Sequence, residues 1–158
     1  MTTTDVKQLP HWAPTAGMLL VKIGKAAERR FAEALKPTGL TPRHLGVLFE
    51  VQARPTSQQA LIETIGVDPS KLVGLLNDLE ADGLIVRRRD PDDRRRHIVE
   101  VSEKGSVQLA KAKKIVAAVE VDLLTGLDED QIEQLLVLLA QVADSSGIFE
   151  GCVERLAR

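Results

Sequence analysis

The stretch from Asp68 to Gly105, DPSKLVGLLNDLEADGLIVRRRDPDDRRRHIVEVSEKG, constrains the fold more than any other part of this 158-residue chain. Asp68 suits the N-cap of a helix, and Pro69 is preset for its first position. Leu72, Val73, Leu76 and Leu79 recur at three- and four-residue spacing, which predicts one buried helical face. Ser70, Lys71, Gly74, Asn77 and Asp78 fall on the opposite face. Gly83 ends the helix as a C-terminal cap. Two short β runs follow, Leu84 to Arg88 and His97 to Val101, joined through Asp90-Pro91-Asp92-Asp93 and an arginine run. A short helix joined to a basic β-hairpin predicts a winged helix. Such a helix can enter a major groove while the hairpin reaches the flanking minor groove.

Within this stretch, LLNDLEADGLIVRRRDPDDRRRHIVEVSEKG resembles the signature of the MarR family of bacterial transcription regulators. That signature is a leucine-rich recognition helix, LE-x-x-GLI-x-R, D-P-x-D-x-R, and a strand ending in Thr or Ser before E-K-G. Asp93 and Arg95 fall on its D-x-R. Ser102 stands where the family usually has Thr, a mild departure because either hydroxyl can cap the next helix. The helix pattern on both sides also fits, so the resemblance runs from about Pro14 to Ala143. It implies a winged helix-turn-helix with a helical homodimer lobe built from the N- and C-terminal helices. It also implies that Asp93 holds a wing arginine in place, and that small aromatic acids bind between the first two helices and the DNA-binding lobe.

Composition agrees with a mainly α fold carrying a small β-hairpin wing. Hydrophobic residues make up 44% of the chain and aromatics only 3%, so Leu, Ala and Val must supply the core. The formal net charge of −2 does not by itself suggest nucleic acid. Its distribution does: residues 87–96 hold six Arg against three Asp, whereas 102–158 hold six basic and ten acidic side chains. A basic tip on an acidic body is compatible with phosphate contact at that tip. The single Cys152 excludes an intramolecular disulfide framework or a cysteine zinc cluster and fits a reducing cytoplasm. MTTTDVKQLP has no apolar run, so no signal peptide is expected, and no 18-residue apolar stretch predicts a membrane span.

In chain order, residues 1–13 read as an extension, with Pro10 and Pro14 opposing a helix. A helix is expected from about Thr15 to Lys36, with Leu19, Leu20, Ile23, Ala26, Ala27, Phe31, Ala34 and Leu35 as its apolar stripe. Thr41 and Pro42 start a second, facing Leu45, Leu48 and Phe49 inward and stopping near Ala53. Ser57 caps a third, burying Ala60, Leu61, Ile62 and Ile65. After the hairpin, Ser102 caps a long helix to about Thr125, and Asp128 with Gln131 forms a capping box for the last one. These two helices carry more apolar surface than one winged helix can cover. Together with the first helix they predict a dimerisation region, residues 14–37 and 102–144, beside a DNA-binding region, 41–101, with a tail at 145–158.

The candidate DNA-binding residues are Ser70, Lys71, Asn77, Arg87, Asp93, Arg94, Arg95 and Arg96. Lys71 suits guanine, and Asn77 suits adenine or a phosphate. Arg95 is the minor-groove candidate, while Arg94 and Arg96 suit phosphates. The bland alternative is a solvated charged hairpin beside the wet side of a surface helix. For an anionic aromatic ligand the candidates are His11, Trp12, Arg29, Arg30 and His44, set against a packed Trp with surface histidines. The three histidines, His11, His44 and His97, are scattered. No Gly-rich phosphate loop, Ser-His-Asp spacing or metal-ligand cluster appears, so neither an enzyme nor a cofactor or metal is expected. The expected protein is a cytoplasmic, ligand-released repressor that binds double-stranded, pseudo-palindromic DNA as a homodimer. The alternative from another class is a helical dimeric interaction module, such as an anti-activator, that does not bind an operator.

Overall fold

The computed structural model describes residues 15–91, 93 and 96–147. Six α-helices and three short strands follow in the order α1 (Ala16–Leu35), α2 (Pro42–Ala53), β1 (Thr56–Ser57), α3 (Gln58–Ile65), α4 (Pro69–Ala81), β2 (Ile85–Arg89), β3 (His97–Val101), α5 (Glu103–Leu123) and α6 (Glu129–Ser145). The polar caps expected at Thr41, Ser57, Asp68, Ser102 and Asp128 form, and Thr15 adds another. The side chains of Thr15, Thr41, Ser57, Asp68, Ser102 and Asp128 each accept a backbone N–H in the first turn of the following helix. Each satisfies one of the donors that a helix start leaves open.

The end of α4 is equally local in origin. The Leu84 N–H donates to Leu79 O (2.8 Å), and the Gly83 N–H to Glu80 O (2.9 Å). This is a Schellman turn, with Gly83 at φ 69° in the left-handed region. The buried pair Leu79 and Leu84 supplies its apolar contact. The turn redirects the chain from α4 into β2.

β3 lies at the centre of a three-stranded antiparallel sheet, in the order β1-β3-β2. Ile85 is registered with Val101 and Arg89 with His97 on one side, and Thr56 with Val99 on the other. The two-residue β1 was not anticipated: Ser57 reads from sequence only as a helix cap. Two residues are too few for any periodicity, and the pairing exists only once β3 lies alongside.

The core joins Leu35, Leu45, Val47, Leu48, Val51, Leu61, Leu72, Leu76, Leu79, Leu84, Ile85 and Val99 to Leu109 and Ala112 of α5. Several expected core positions lie elsewhere. Phe49 is 41% exposed and Val73 38% exposed. Val73 sits off the stripe set by Leu72, Leu76 and Leu79, and Leu75 takes the half-buried place instead. Phe49 carries Lys113 Nζ over its ring at 5.2 Å. Ala60, Ile62 and Ile65 are half-buried rather than buried.

The largest difference lies at the chain ends. Leu35 is the one buried residue of α1, and Ala140 that of α6. Met18, Leu19, Leu20, Val21 and Ile23 on α1, Val121 on α5, and Leu136, Val137, Leu138 and Val142 on α6 are all solvent-exposed in the single chain. Singly exposed apolar residues are normal on a protein surface, but runs of them along α1 and α6 are not.

Candidate nucleic-acid interface

On α4 the exposed residues Ser70, Val73, Gly74, Asn77 and Ala81 recur every three to four positions, opposite the buried Leu72, Leu76 and Leu79. One side of the helix is therefore committed to the core and the other is open along its whole length. Gly66, at φ 67°, turns the chain between α3 and α4. Asp68 then gathers the first turn of α4. It accepts from Ser70 Oγ (2.6 Å) and the Lys71 N–H (2.9 Å), and Lys71 Nζ lies 3.0 Å from its second oxygen. The Ser70 hydroxyl first, then the Lys71 backbone and side chain, hold the Asp68 carboxyl well below the usual carboxylate range. Ser70 and Lys71 are thus both at the exposed helix start, each already oriented by Asp68.

Arg87 of β2 is the most heavily engaged basic side chain among the described residues. Its Nε donates to Glu80 Oε2 at 2.9 Å, its Nη2 reaches the same oxygen, and Nη2 also donates to Asn77 Oδ1 at 2.8 Å. The arginine side chain is only 24% exposed. The Arg87 guanidinium holds the Glu80 carboxyl below its ordinary value. A depressed carboxylate pKa stabilises the fold above the unfolded-state value, and that contribution is lost as the pH falls through the folded-state value. The expected result is that Glu80→Gln lowers stability near neutrality and flattens the acid limb of a stability profile recorded from pH 7 down past about 4. An unaltered acid limb would show that the pair contributes nothing.

The wing turn is closed by backbone bonds from Asp90 N–H to Arg96 O (3.0 Å) and from Arg96 N–H to Asp93 O (2.8 Å). Among the described residues, Asp93 Oδ2 approaches Arg96, at 3.8 Å from its Nε. Arg88 pairs with Glu100 across the hairpin at 3.4 Å. Arg94 and Arg95 lie outside the described residues. A groove of about 320 Å³ runs between the start of α3 and the turn end of the hairpin, walled by Ser57, Gln58, Gln59, Ile62, Arg96 and His97. His97 was not among the expected site residues; only its register opposite Arg89 brings it there.

Of the expected ligand residues, the described ones lie on α1 and α2. His11 and Trp12 lie outside the described residues, and Arg29 is exposed on α1. Arg30 pairs with Asp122 of α5 at 3.1 Å, on the edge of an open groove of about 580 Å³ that is also lined by Glu33, Ala34, Ala118 and Val119. His44 is not on its walls. Instead it completes the capping box of α2, where its Nδ1 accepts the Thr41 N–H at 3.3 Å. Nδ1 is therefore unprotonated and Nε2 carries the ring hydrogen. Nε2 is buried, makes no hydrogen bond, and lies 3.6 Å from Asp78 Oδ2 on α4, too far for one. Among the described residues, no group of three or more His, Cys, Asp or Glu could hold a metal ion, and no helix is long and apolar enough to cross a membrane.

A helix-turn-helix whose second helix is open on one side and continuous with a basic β-hairpin defines a winged helix-turn-helix protein. Residues 38–96 match the model of the MarR family. The chain is 34% identical to a proposed transcriptional regulatory protein for the hcr operon of Thauera aromatica over 88% of its own length and 86% of that protein's. Its fold matches that of the transcriptional repressor CouR bound to a 23-mer DNA duplex, with TM-score 0.77 and 36% identity, covering 82% of this chain and 92% of that one. CouR from Rhodococcus jostii RHA1 bound to p-coumaroyl-CoA matches with TM-score 0.71 and 35% identity, over 80% and 90% of the two chains. The chain belongs to the MarR family of transcriptional regulators.

Proposed function

We propose that the protein is a homodimeric repressor that binds pseudo-palindromic duplex DNA and is released by a small anionic aromatic ligand. The observation that carries this reading is the division of exposed surface. Polar and basic groups line α4 and the β2–β3 hairpin, while apolar side chains are left uncovered on α1 and α6. A second copy covering residues of 14–37 and 102–144 sets two α4 helices side by side. For successive major grooves they must stand roughly 34–36 Å apart. Ser70, Lys71 and Asn77 then face base edges or phosphates, Arg95 enters the minor groove, and Arg94 and Arg96 contact phosphates. The protein acts by binding rather than catalysis, in the cytoplasm where its operator lies.

The ligand reading is supported by CouR, which has been seen both on DNA and with an aromatic acyl thioester. A ligand releases DNA only if it prefers a spacing of the α4 helices that DNA does not. Arg30 is the cation in the α1–α5 groove, and an acidic ligand must displace Asp122 from it. Arg29, His44, His11 and Trp12 remain further candidates for this role.

The test is fluorescence anisotropy on duplexes from the protein's own upstream region, titrated with salt. Arg95→Ala and Arg96→Ala are each expected to weaken binding on every sequence and to lower the salt slope by about 1. Wild-type affinity and slope in both variants would remove the wing from the interface. Adding p-coumaroyl-CoA or benzoate-like acids is expected to release the duplex. A compound that raises the melting temperature without loosening DNA would leave a pocket but no switch.

A further inference from the structure

The open face of α4 has two flanks. At about 100° per residue, Ser70, Gly74, Asn77 and Ala81 fall within roughly 60° of one another around the helix axis. Glu80 and Lys71 stand on opposite sides of that strip, about 180° apart. Glu80 holds Arg87 of β2, so its flank faces the wing. The Lys71 flank faces α2. His44 of α2 lies 3.6 Å from Asp78 on this side, and Lys71 lines a groove of about 540 Å³ with Pro42, Arg43 and Gly46 of α2.

Two cations meet at this groove. Arg43 is exposed in the first turn of α2, and among the described residues its guanidinium has no hydrogen bond or ion pair. Lys71 is also exposed and directs its ammonium at Asp68, 3.0 Å away, which leaves two of its three donors. Asp68 is the acid on the groove wall, and Lys71 balances it. Asp78, two turns on, stands roughly 10 Å further along the axis. Arg43 therefore leaves one positive charge unbalanced at the groove.

A helix in the major groove has a phosphate backbone along each flank. The wing stands over one backbone, and the α2 edge stands over the other. We infer that Arg43 and Lys71 form a phosphate-binding edge, which grips the DNA backbone on the flank of α4 away from the wing. This rests on the reading of α4 as the helix that enters the major groove. The planar fork of Arg43 suits two oxygens of one phosphate, and the free donors of Lys71 suit a neighbouring phosphate. Lys71 is thereby taken out of base reading, the role its residue type suggests, because it stands beside the strip that faces the bases. Arg43, which no motif marks, joins the interface. Both residues position the protein on the duplex without specifying sequence.

The experiment is fluorescence anisotropy over a salt series, on a duplex from the protein's own upstream region and on a scrambled duplex. Wild type is compared with Arg43→Ala, Arg43→Lys and Lys71→Ala. The two alanine variants are each expected to weaken both duplexes by a similar factor and to lower the salt slope by about 1. Arg43→Lys keeps the charge and is expected to retain most of the slope. Selection from randomised duplexes is expected to return the wild-type base profile for both alanine variants.

Arg43→Ala removes no hydrogen bond from the fold, so a wild-type melting temperature is expected beside its DNA defect. This variant decides the matter even if Lys71→Ala loosens the start of α4. A wild-type salt slope in Arg43→Ala would overturn the inference, and so would a base preference lost at one position in Lys71→Ala. In both cases wild-type binding stands, so the DNA-binding reading survives. If the wild type shows no salt-dependent binding to either duplex, that reading itself fails and the inference falls with it.

Discussion

Gly105→Ala is expected to lower the melting temperature by roughly 6 °C, the size of shift that a net loss of about 2 kcal/mol produces in a domain this long. The cause is one backbone contact. A Cβ built on Gly105 would stand 1.9 Å from the Leu84 carbonyl oxygen and 2.9 Å from its carbonyl carbon. That oxygen cannot move aside, because it accepts the Ser102 N–H at 3.0 Å just beyond the Schellman turn of α4. Ser102 also donates its hydroxyl to Gly83 O at 2.6 Å while accepting the Gly105 N–H at 2.9 Å, and Lys104 Nζ donates to Asp82 O at 2.7 Å. The first turn of α5 is thus folded tightly over the last turn of α4. Alanine is intrinsically better in a helix than glycine by about 1 kcal/mol, which opposes the clash. Forced overpacking of a rigid site costs about 1–3 kcal/mol and occasionally more, and a contact on backbone rather than on a side-chain tip belongs at the upper end. A thermal melt decides the sign: an unchanged or raised melting temperature would mean that α5 shifts freely away from α4.

The second large effect is expected from Leu138→Glu on α6, which should convert a dimer to a monomer and weaken operator binding by about 10²–10⁴-fold. That is the gain that joining two binding modules provides without any new contact to DNA. In the single chain Leu138 is 52% exposed, with Leu136, Val137, Leu139 and Val142 around it. Covering a leucine contributes about 1.5–3 kcal/mol, and placing a carboxylate there adds a desolvation cost to the loss. Because Leu138 lies outside the core of the winged helix, its substitution should leave the monomer folded. Sedimentation that still shows a dimer, with operator affinity unchanged, would place the subunit interface elsewhere. A dimer that persists while DNA affinity collapses would point instead to altered spacing of the two α4 helices.

The helix starts were legible in the residues because capping is local. Asp68 with Pro69, Thr41 with Pro42, and Asp128 with Gln131 each act within one turn, so type and spacing suffice. The Gly83 turn and the basic hairpin were legible for the same reason, and with them the winged helix and the face of α4 that stays open. Which apolar residues are buried was not local. Leu109 and Ala112 belong to the core while Met18 and Leu138 do not, because burial depends on which helices meet and how much surface a single chain leaves uncovered. Periodicity reports that a face is apolar without saying whether its own chain or another covers it.

The same division runs through the site. The residues 68–96 announce a helix with an open polar face and a basic hairpin, but not that Arg87 reaches back across the Schellman turn to Glu80 and Asn77, nor that His44 spends one ring nitrogen on its own helix cap. Composition and spacing settled which groups are present and on which element they lie. Only the tertiary structure decided which donors and acceptors are already consumed, because a hydrogen bond between elements depends on backbone positions that no local pattern encodes.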